Sequence, residues 1–257
     1  MNAEAPPRVA AVTGASSGIG QAVAIALGRL GWQVAVGARR ADRLAHTACL
    51  VEEAGGTALA HELDVTDPAS VDAFFDAAED AFGPGAVAVH NAGVSPPGPF
   101  HTLDPADLRR EVETNLLGVL LTARRSIRTM LEHGVTGDQV FLSSDAVRDG
   151  RPRMVAYAAT KAGVEVAARS LTMELEGTGI RCTTVRVGPT FTEFLAGVEP
   201  EALGELLEYW PRFGLQRHMG VMTPDDVARA VVLAVTTPPG VFVGTIEVQP
   251  TAPATPG

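Results

Sequence analysis

The residues of this sequence whose types and spacing could do chemistry are Tyr157 and Lys161. Tyr157 is one of two tyrosines, and Lys161 is the only lysine in the chain. On a helix, side chains four positions apart lie on the same face. A lysine ammonium is a compact charge that lowers the pKa of a neighbouring phenol, so the pair suits proton exchange near neutral pH. Two ordinary residues on a helix surface would show the same spacing, so the pair alone leaves both interpretations open.

A glycine-rich turn lies near the start of the chain, where residues 13–20 read Thr-Gly-Ala-Ser-Ser-Gly-Ile-Gly. The turn follows a short apolar run at residues 8–13 and precedes a helical apolar pattern at residues 21–30. Glycines here permit a tight turn and let backbone N–H groups approach a phosphate at the helix N-terminus. A P-loop is excluded because no Gly-Lys-Ser/Thr sequence follows. The turn therefore predicts a dinucleotide site.

Short apolar runs alternate with helical patterns along the chain. The apolar runs predict seven strands, at residues 8–13, 32–38, 57–63, 86–90, 139–143, 180–187 and 241–248. Helices are predicted at residues 21–30, 42–54, 68–82, 105–133, 155–177 and 200–209, and from residue 224 onward. Such alternation implies right-handed βαβ units and a sheet covered by helices on both faces. We expect an α/β, doubly wound fold with a seven-stranded, mostly parallel sheet.

The domain organisation is expected to be simple. No linker, repeat or composition break divides the sequence, which predicts one domain over residues 1–257. Residues 189–222 are irregular and predict a substrate-binding insertion. The Pro-rich tail at residues 250–257 is expected to be flexible.

The composition excludes several other classes of protein. A formal net charge of −10 and a pI near 5.0 argue against nucleic acid or an anionic membrane as the main partner. No apolar run reaches the roughly 18 residues of a membrane-spanning helix. Cys49 and Cys182 are too few for a disulfide framework or a metal site, and both are expected to be buried thiols. The same shortage of ligands leads us to expect no metal. Since no signal-peptide pattern opens the sequence, a cytoplasmic protein is expected.

Further motifs stand in register with the glycine turn and the Tyr–Lys pair. Asn91-Ala92-Gly93 follows the fourth predicted strand, and Ser144 lies thirteen residues before Tyr157, with Asn115 upstream of both. In their order and spacing, these motifs resemble the short-chain dehydrogenase/reductase superfamily, single-domain type. The resemblance extends from residue 9 to about residue 250. It implies a Rossmann-type fold and an oxidoreductase.

The resemblance also implies a role for each of four polar residues. Tyr157 would be the general acid that protonates a carbonyl oxygen as hydride arrives, or the base in the reverse direction. Ser144 would hydrogen-bond that oxygen and orient it; alternatively it is only a strand-end hydroxyl, like Ser143 beside it. Lys161 would lower the pKa of Tyr157 and bind the nicotinamide ribose. Asn115 would hold a water molecule in a proton relay that runs through Lys161.

The end of the second predicted strand indicates which dinucleotide is bound. NAD-selective sites usually place an acid there to hold the ribose 2′-hydroxyl, but this chain has Ala38, followed by Arg39 and Arg40. Arg39 is expected to clamp a 2′-phosphate, because its guanidinium fork matches the geometry of that group, and Ser16 would add a hydroxyl contact. The alternative is a solvated Arg pair at a helix start, a poor place for cations. We therefore expect NADP(H) to be preferred over NAD(H). Including what the resemblance implies, the predicted cofactor-binding residues are Gly14, Ser16, Ser17, Gly18, Ile19, Gly20, Arg39, Arg40, Asp64, Val65, Asn91, Ala92, Gly93, Tyr157, Lys161, Pro189, Thr190 and Thr192.

The substrate side of the site is expected to be largely apolar. Its predicted residues are Val94, Ser95, Ser144, Phe191, Leu195 and Trp210. This character favours a hydrophobic ketone, aldehyde or alcohol, although the same side chains would also suit packing on one another as core. After the sixth strand the chain reads Gly188-Pro189, the reverse of the family's usual Pro-Gly. Because of this reversal, the family pattern does not predict the conformation of the loop after the sixth strand.

The leading functional prediction is an NADP(H)-dependent carbonyl reductase or alcohol dehydrogenase that acts on a small molecule. A biosynthetic ketoreductase acting on a polyketide or 3-oxoacyl substrate is an alternative. Another is a catalytically idle dinucleotide-binding regulator, which would be expected to have lost Tyr157, Lys161 or Ser144. The resemblance also implies a homodimer or homotetramer, formed through the helix at residues 105–133 and the helix that carries Tyr157.

Overall fold

A parallel sheet lies at the centre of the computed structural model, which describes residues 8–195, 200–216 and 218–252. Within those ranges the strands are β1 (Val9–Thr13), β2 (Gln33–Ala38), β3 (Thr57–Glu62), β4 (Val87–His90), β5 (Gly137–Ser144), β6 (Ile180–Val187) and β7 (Thr245–Val248). Their order across the sheet is β3-β2-β1-β4-β5-β6-β7, and each neighbouring pair is parallel. The predicted doubly wound sheet is confirmed, and these seven strands are all parallel rather than mostly so. Residues 253–257 of the predicted tail lie outside the described residues.

Helices connect the strands and cover both faces of the sheet. Over the same ranges they are α1 (Gly18–Gly28), α2 (Ala41–Glu53), α3 (Pro68–Phe82), α4 (Pro105–Val112), α5 (Gly118–Glu132), α6 (Ala146–Asp149), α7 (Val155–Glu174), α8 (Pro200–Arg212) and α9 (Pro224–Val235). One face is covered by α1, α2 and α9, and the other by α3, α5 and α7. In the part of the chain that the structure describes, no helix is both long and apolar enough to cross a membrane.

The strands β1, β2 and β4 are nearly all apolar because the centre of the sheet is buried on both faces. In β1, Ala10 and Val12 pack with α1 and α9 on one side. Ala11 lies between them in sequence and packs with Phe74 of α3 on the other side. Successive side chains of a strand point to opposite faces, so alternate residues enter different cores. This double burial explains why hydrophobic runs, rather than an alternating pattern, predicted these strands.

Two helix starts follow the chemistry of their first residues. The side chain of Asp67 accepts a hydrogen bond from the Ala69 N–H at 3.0 Å, and Pro68 is the first residue of α3. At the start of α9, Thr223 donates from its backbone N–H to the Asp226 carboxylate at 2.9 Å. Both arrangements satisfy backbone groups that a helix end leaves unpaired. The predicted starts of these two helices are confirmed.

The structure differs from the sequence predictions in three places. The helical region at residues 105–133 is interrupted by a π-helical segment, Glu113–Leu117, between α4 and α5. The last strand begins at Thr245 rather than at residue 241. Cys182 is buried as expected, but the prediction for Cys49 was wrong, since this thiol lies exposed on α2.

The carboxyl ends of the central strands meet at one edge of the sheet. β1 pairs with β2 on one side and with β4 on the other, so the strand order reverses between β1 and β4. In doubly wound sheets a crevice forms at such a switch point, and ligands bind there. The glycine turn follows β1, Asn91 follows β4 and Ser144 ends β5. The fold therefore brings three separate sequence motifs to the same crevice.

Candidate active site

The turn after β1 depends on its glycines, as Gly14 and Gly20 show. Gly14 has a φ of +67°, a left-handed conformation that L side chains rarely adopt. A Cβ on Gly20 would lie 2.4 Å from the Gly14 carbonyl oxygen, far inside van der Waals contact. The Asn91 side chain holds the turn in place, because its Nδ2 donates to the carbonyl oxygens of Thr13 at 3.0 Å and Gly14 at 3.1 Å. The structure thus brings the glycine turn and Asn91 together.

The start of α1 has the properties of an anion site. The helix begins at Gly18, and its N-cap residue Ser17 makes no capping hydrogen bond through its side chain. The first turn contains no acidic residue, which leaves the positive end of the helix uncompensated. A helix N-terminus of this kind binds phosphate through its backbone N–H groups. Ile19 packs against the core and holds the turn in place. Thr192 lies beside Gly18, because a Cβ placed on that glycine would be 3.4 Å from the Thr192 Cβ. These residues fit a dinucleotide's diphosphate.

Two arginines follow β2, and they approach different partners. The Arg40 guanidinium donates to Ser16 Oγ at 2.8 and 3.2 Å and to Ser17 Oγ at 2.9 Å. Arg39 is exposed, and its charge instead acts on Asp64. Because Ala38 ends the strand, no carboxylate from this position opposes an anion beside Arg40. The structure therefore places Arg40 against the glycine turn, rather than Arg39 as the sequence led us to expect.

Asp64 and Val65, two of the predicted cofactor-binding residues, lie in the turn after β3. Asp64 accepts hydrogen bonds from the Thr66 N–H at 3.0 Å and the Thr66 hydroxyl at 2.8 Å. Burial acts to raise the pKa of Asp64, but these bonds and the charge of Arg39 outweigh it and lower the pKa below its ordinary value. The Val65 side chain is buried against Gly118, where a Cβ would stand 2.6 Å from it. This turn is therefore held rigidly at the edge of the crevice.

Tyr157, Lys161 and Ser144 converge at the end of β5. Tyr157 lies in the first turn of α7, and Lys161 follows one turn later with its Nζ 5.9 Å from the centre of the Tyr157 ring. The Lys161 ammonium is buried and donates to the Leu142 carbonyl oxygen at 2.8 Å. Ser144 lies near enough to Tyr157 to act on the pKa of the phenol, and its Oγ accepts from the Ala146 N–H at 3.2 Å. Ser143 donates instead to the Glu165 carboxylate at 2.8 Å, so Ser144 is the serine that faces the tyrosine.

Asn115 lies in the π-helical segment and is fully buried. Its Oδ1 accepts from the Val94 N–H and its Nδ2 donates to the Val94 carbonyl oxygen, both at 2.8 Å. Gly93 stands close by, since a Cβ there would lie 3.3 Å from Asn115 Oδ1 and 3.8 Å from Lys161 Nζ. π-bulges inside α-helices occur frequently at functional sites. The segment after β4 thus lies between Asn115 and Lys161.

The electrostatic environment raises the pKa of Tyr157 rather than lowering it. Burial is the largest influence, and the Asp145 and Glu111 carboxylates act in the same direction. The Ser144 hydroxyl and the charge of Arg151 oppose them, and the net effect raises the pKa to about 12. For Lys161, burial lowers the pKa from 10.5 to about 8. The direction for Tyr157 is opposite to the one expected from Lys161 alone.

The predicted substrate-side residues do not all face the crevice. Phe194 packs beside the Tyr157 ring, with 5.4 Å between the ring centres, whereas Phe191 is 79 % exposed. Trp210 of α8 stacks under the Arg151 guanidinium at 5.5 Å. The side chain of Leu195 lies outside the described residues. Phe194 therefore occupies the wall position that was expected of Phe191.

The loop after β6 has a defined path despite the reversed Gly188-Pro189 order. The Pro189 carbonyl oxygen accepts from the Met222 N–H at 2.9 Å, and Thr190 forms a parallel β-bridge with Met222. The Thr190 hydroxyl donates back to the Gly188 carbonyl oxygen at 2.9 Å. The loop is thereby tied to Met222, two residues before α9. This attachment leads the chain past Thr192 toward the glycine turn.

Comparison with known proteins places this arrangement in a family. A family model described as short chain dehydrogenase matches residues 8–202. The chain belongs to the short-chain dehydrogenase family. It is 36 % identical to cis-4-hydroxycyclohexanecarboxylate dehydrogenase of Sinomonas cyclohexanicum, over 93 % of both chains. It is 35 % identical to glycine betaine reductase ATRR of Emericella nidulans over 95 % of this chain, which spans only 19 % of that protein's length.

A solved structure similar to this chain contains a nicotinamide dinucleotide. A single-residue variant of actinorhodin polyketide ketoreductase with NADPH superposes with a TM-score of 0.84 at 31 % identity, covering 94 % of this short-chain dehydrogenase and 95 % of that chain. The match confirms the predicted fold and the family resemblance. The protein is an oxidoreductase of this family, with relatives of alcohol and carbonyl type. In the described ranges of this dehydrogenase, no group of three or more His, Cys, Asp and Glu side chains could hold a metal ion.

The sequence patterns did not identify two features of this dehydrogenase. Glu111 of α4 is buried one helical turn before Asn115, and burial raises its pKa to about 7 against the opposing influence of Ser95. Asp145, the residue after Ser144, forms a buried ion pair with Arg151 at 2.8 Å. Apolar periodicity did not reveal Glu111, because α4 reads as an ordinary charged helix. Arg151 could have been found only from the position of Asp145 in three dimensions.

Proposed function

We propose that this short-chain dehydrogenase is an NADP(H)-dependent carbonyl reductase or alcohol dehydrogenase, with Tyr157 as its general acid and base. The observation that carries the proposal is the convergence of three groups at the end of β5. The Ser144 hydroxyl and the buried Lys161 ammonium both lie beside the Tyr157 ring. A hydroxyl, a phenol and an ammonium held together in a crevice suit proton transfer to an oxygen that gains charge.

The chemistry follows from the properties of these side chains. A bound nicotinamide supplies the hydride for reduction, or accepts it in the reverse direction. The Tyr157 phenol, with its pKa raised to about 12, stays protonated at neutral pH and donates its proton to the carbonyl oxygen. Ser144 donates a hydrogen bond to the same oxygen and fixes its position. The carbonyl carbon thus gains a hydride and its oxygen a proton, which gives the alcohol.

The alcohol-oxidising direction requires the phenolate of Tyr157, and Lys161 is the group placed to stabilise it. Its ammonium lies 5.9 Å from the Tyr157 ring centre, and it is protonated below a pKa of about 8. An opposite charge at this distance favours the ionised phenol. Asn115 would serve the same proton path from the π-helical segment beside Gly93. We therefore assign Lys161 and Asn115 to proton movement rather than to substrate contact.

NADP(H) is proposed as the preferred dinucleotide because of the surroundings of Arg40. The residues proposed to hold a 2′-phosphate are Arg40, Ser16 and Ser17, with Arg39 at the outer side. Ala38 supports this preference, since an acid there would repel the phosphate. The structural relative solved with NADPH adds support at the level of the family. An NAD-preferring site would lack the arginine against the glycine turn.

The proposed substrate is a hydrophobic ketone, aldehyde or alcohol, held near Tyr157 between Val94, Phe194 and Trp210. A biosynthetic ketoreductase is the second candidate, and the similarity to the polyketide ketoreductase favours it. Oxidation of NADPH, followed at 340 nm against a panel of simple ketones and β-ketoesters, separates the two. The proposal predicts turnover of at least one simple ketone and a loss of about 100-fold or more in Tyr157→Phe. Full activity of the phenylalanine variant would contradict the role of Tyr157, whereas inertness toward every carbonyl would favour an idle dinucleotide-binding regulator.

We further propose that the chain forms one catalytic domain, with residues 189–222 as its substrate-binding insertion, and that it is a cytoplasmic homodimer or homotetramer. Large apolar side chains are exposed on the helices expected to associate. They are Val112, Leu117 and Leu120 around α4 and α5, and Val166 and Met173 on α7. Exposed apolar patches of this kind mark protein–protein contacts. Light scattering that gives a monomer mass at working concentration would refute the assembly.

A further inference from the structure

The guanidinium groups beside the glycine turn already have an anionic neighbour within the chain. Glu193, in the 3₁₀ turn Glu193–Leu195, places its carboxylate 3.6 Å from Arg40 Nη1. The same carboxylate oxygen forms an ion pair and hydrogen bond with Arg43 Nη1. Arg40 meanwhile keeps its hydrogen bonds to Ser16 and Ser17. Three distant parts of the sequence thus meet at one anion-binding cluster.

The cluster has the composition of a phosphate site with a carboxylate seated in it. Arg40 and Arg43 both lie at the N-terminal end of α2, where cations are unfavourable unless an anion accompanies them. Carboxylate and phosphate oxygens both match the N–H groups of a guanidinium. The Glu193 carboxylate stands in for a phosphate oxygen at these nitrogens. We infer that Glu193 is an internal competitor for the 2′-phosphate of the dinucleotide, an inference that rests on the proposed NADP(H) preference.

The competition arises because both anions would use the same donors. A phosphate on Arg40 would lie within a few ångströms of the Glu193 carboxylate, and like charges at that separation repel. The Arg40, Arg43 and Glu193 side chains are 47 %, 43 % and 53 % exposed, so their ion pairs are of the weak, solvent-screened kind. A dianionic phosphate can displace such a carboxylate. Because displacing Glu193 costs free energy, the affinity for NADP(H) is lower than it would be without this carboxylate. NAD(H) has no 2′-phosphate, so its affinity is unchanged.

The segment that carries Glu193 also contacts the proposed catalytic tyrosine. Glu193 stands between Thr192, which lies beside Gly18, and Phe194, which packs on the Tyr157 ring. Glu193 is thus adjacent in sequence to the residue that contacts the Tyr157 ring. Glu193 is assigned a role in dinucleotide specificity rather than in catalysis.

Calorimetric titration with two nucleotide fragments tests this without turnover. The probes are adenosine 2′,5′-bisphosphate and 5′-AMP, which differ only in the 2′-phosphate. The proteins are the wild type, Glu193→Gln, and Glu208→Gln as a matched control, since Glu208 is an exposed glutamate on α8 of the same insertion. We expect the bisphosphate to bind Glu193→Gln about three- to tenfold tighter than wild type. The affinity for 5′-AMP should stay within about twofold in all three proteins, and the gain should shrink at about 1 M salt.

Each contrary outcome has a separate meaning. If the bisphosphate binds wild type better than 5′-AMP does, but Glu193→Gln gives no gain, the competition is overturned and the cofactor proposal survives. Weaker binding of the bisphosphate to Glu193→Gln would overturn it as well, because Glu193 would then support the phosphate through Arg43. If the bisphosphate binds no tighter than 5′-AMP to the wild type and to Glu193→Gln, the proposed NADP(H) preference fails, and the competition fails with it. A gain in Glu208→Gln of the same size would show a general charge effect and would also overturn it.

Discussion

Lys161→Met should increase the stability of the fold at neutral pH while it removes activity. Lys161 is the only lysine of the chain, and it is buried with its ammonium on the Leu142 carbonyl oxygen. Burial lowers its pKa from 10.5 to about 8, which corresponds to about 3 kcal/mol of unfavourable charge burial. Loss of the charged hydrogen bond to Leu142 offsets about half of that gain. We expect a net stabilisation of about 1–2 kcal/mol at pH 7.

The sign of the pH dependence is specific to Lys161. Below pH 8 the amine is protonated in both the folded and the unfolded chain, so the folded state carries the whole penalty. Between pH 8 and 10.5 the unfolded chain binds a proton that the folded chain has released, so wild-type stability rises with pH. Above pH 10.5 neither state carries the charge, and the penalty has gone. The advantage of Lys161→Met should therefore shrink as the pH rises from 8 to 10.5.

Urea denaturation at about pH 7 and about pH 10 measures both effects. The difference between wild type and variant cancels the contribution of Cys182, whose pKa is raised by burial to about 12. Arg29→Met is a matched control, because it removes a cation that is 61 % exposed and only loosely paired with Asp225 at 3.8 Å. Its unfolding free energy should stay within about 0.5 kcal/mol of wild type. A Lys161→Met protein that is less stable than wild type at pH 7, or whose advantage does not change with pH, would refute the reasoning.

Three further predictions concern other parts of the site and the surface. Gly20→Ala places a methyl group 2.4 Å from the Gly14 carbonyl oxygen, so dinucleotide affinity, measured by fluorescence titration, should fall about tenfold or more; an unchanged affinity would contradict the turn geometry. Glu111→Gln removes a negative charge that raises the pKa of Tyr157, so the alkaline limb of the pH–rate profile should move to lower pH; a profile that superposes on wild type would show that this carboxylate does not influence the phenol. Val166→Glu introduces a charge on the exposed face of α7 and should lower the mass found by light scattering; an unchanged oligomer would place the interface elsewhere.

The fold could be predicted from the sequence because its signals are local. Apolar runs such as that around Val12 predicted strands, and Asp67 before Pro68 predicted a helix start, since both follow from the periodicity or chemistry of a few adjacent residues. The π-helical segment around Asn115 could not be predicted in this way. Its presence depends on the packing of α4 and α5 around Val94, which no local pattern encodes. The same holds for Cys49, whose exposure depends on which side of α2 faces the sheet.

The site was predictable as a set of motifs but not as a set of contacts. The glycine turn, Asn91, Ser144 and the Tyr–Lys pair stand in family order, so their meeting at one crevice was expected. Whether Arg39 or Arg40 meets the glycine turn depends on where α2 begins and which way each side chain leaves it. The carboxylate of Glu193 reaches the arginines from 150 residues away, through the folding of the insertion. Contacts of that separation leave no trace in spacing or composition.

The most direct test of the central claim is the transfer of hydrogen isotope from cofactor to product. NADPH deuterated at the transferring position of the nicotinamide is incubated with the enzyme and a ketone substrate, and the alcohol is analysed by mass spectrometry and NMR. The account predicts one deuterium at the carbinol carbon, a hydroxyl proton from solvent, and a loss of about 100-fold or more in rate for Tyr157→Phe. An alcohol without deuterium at that carbon, or a Tyr157→Phe enzyme with the full rate of transfer, would contradict it.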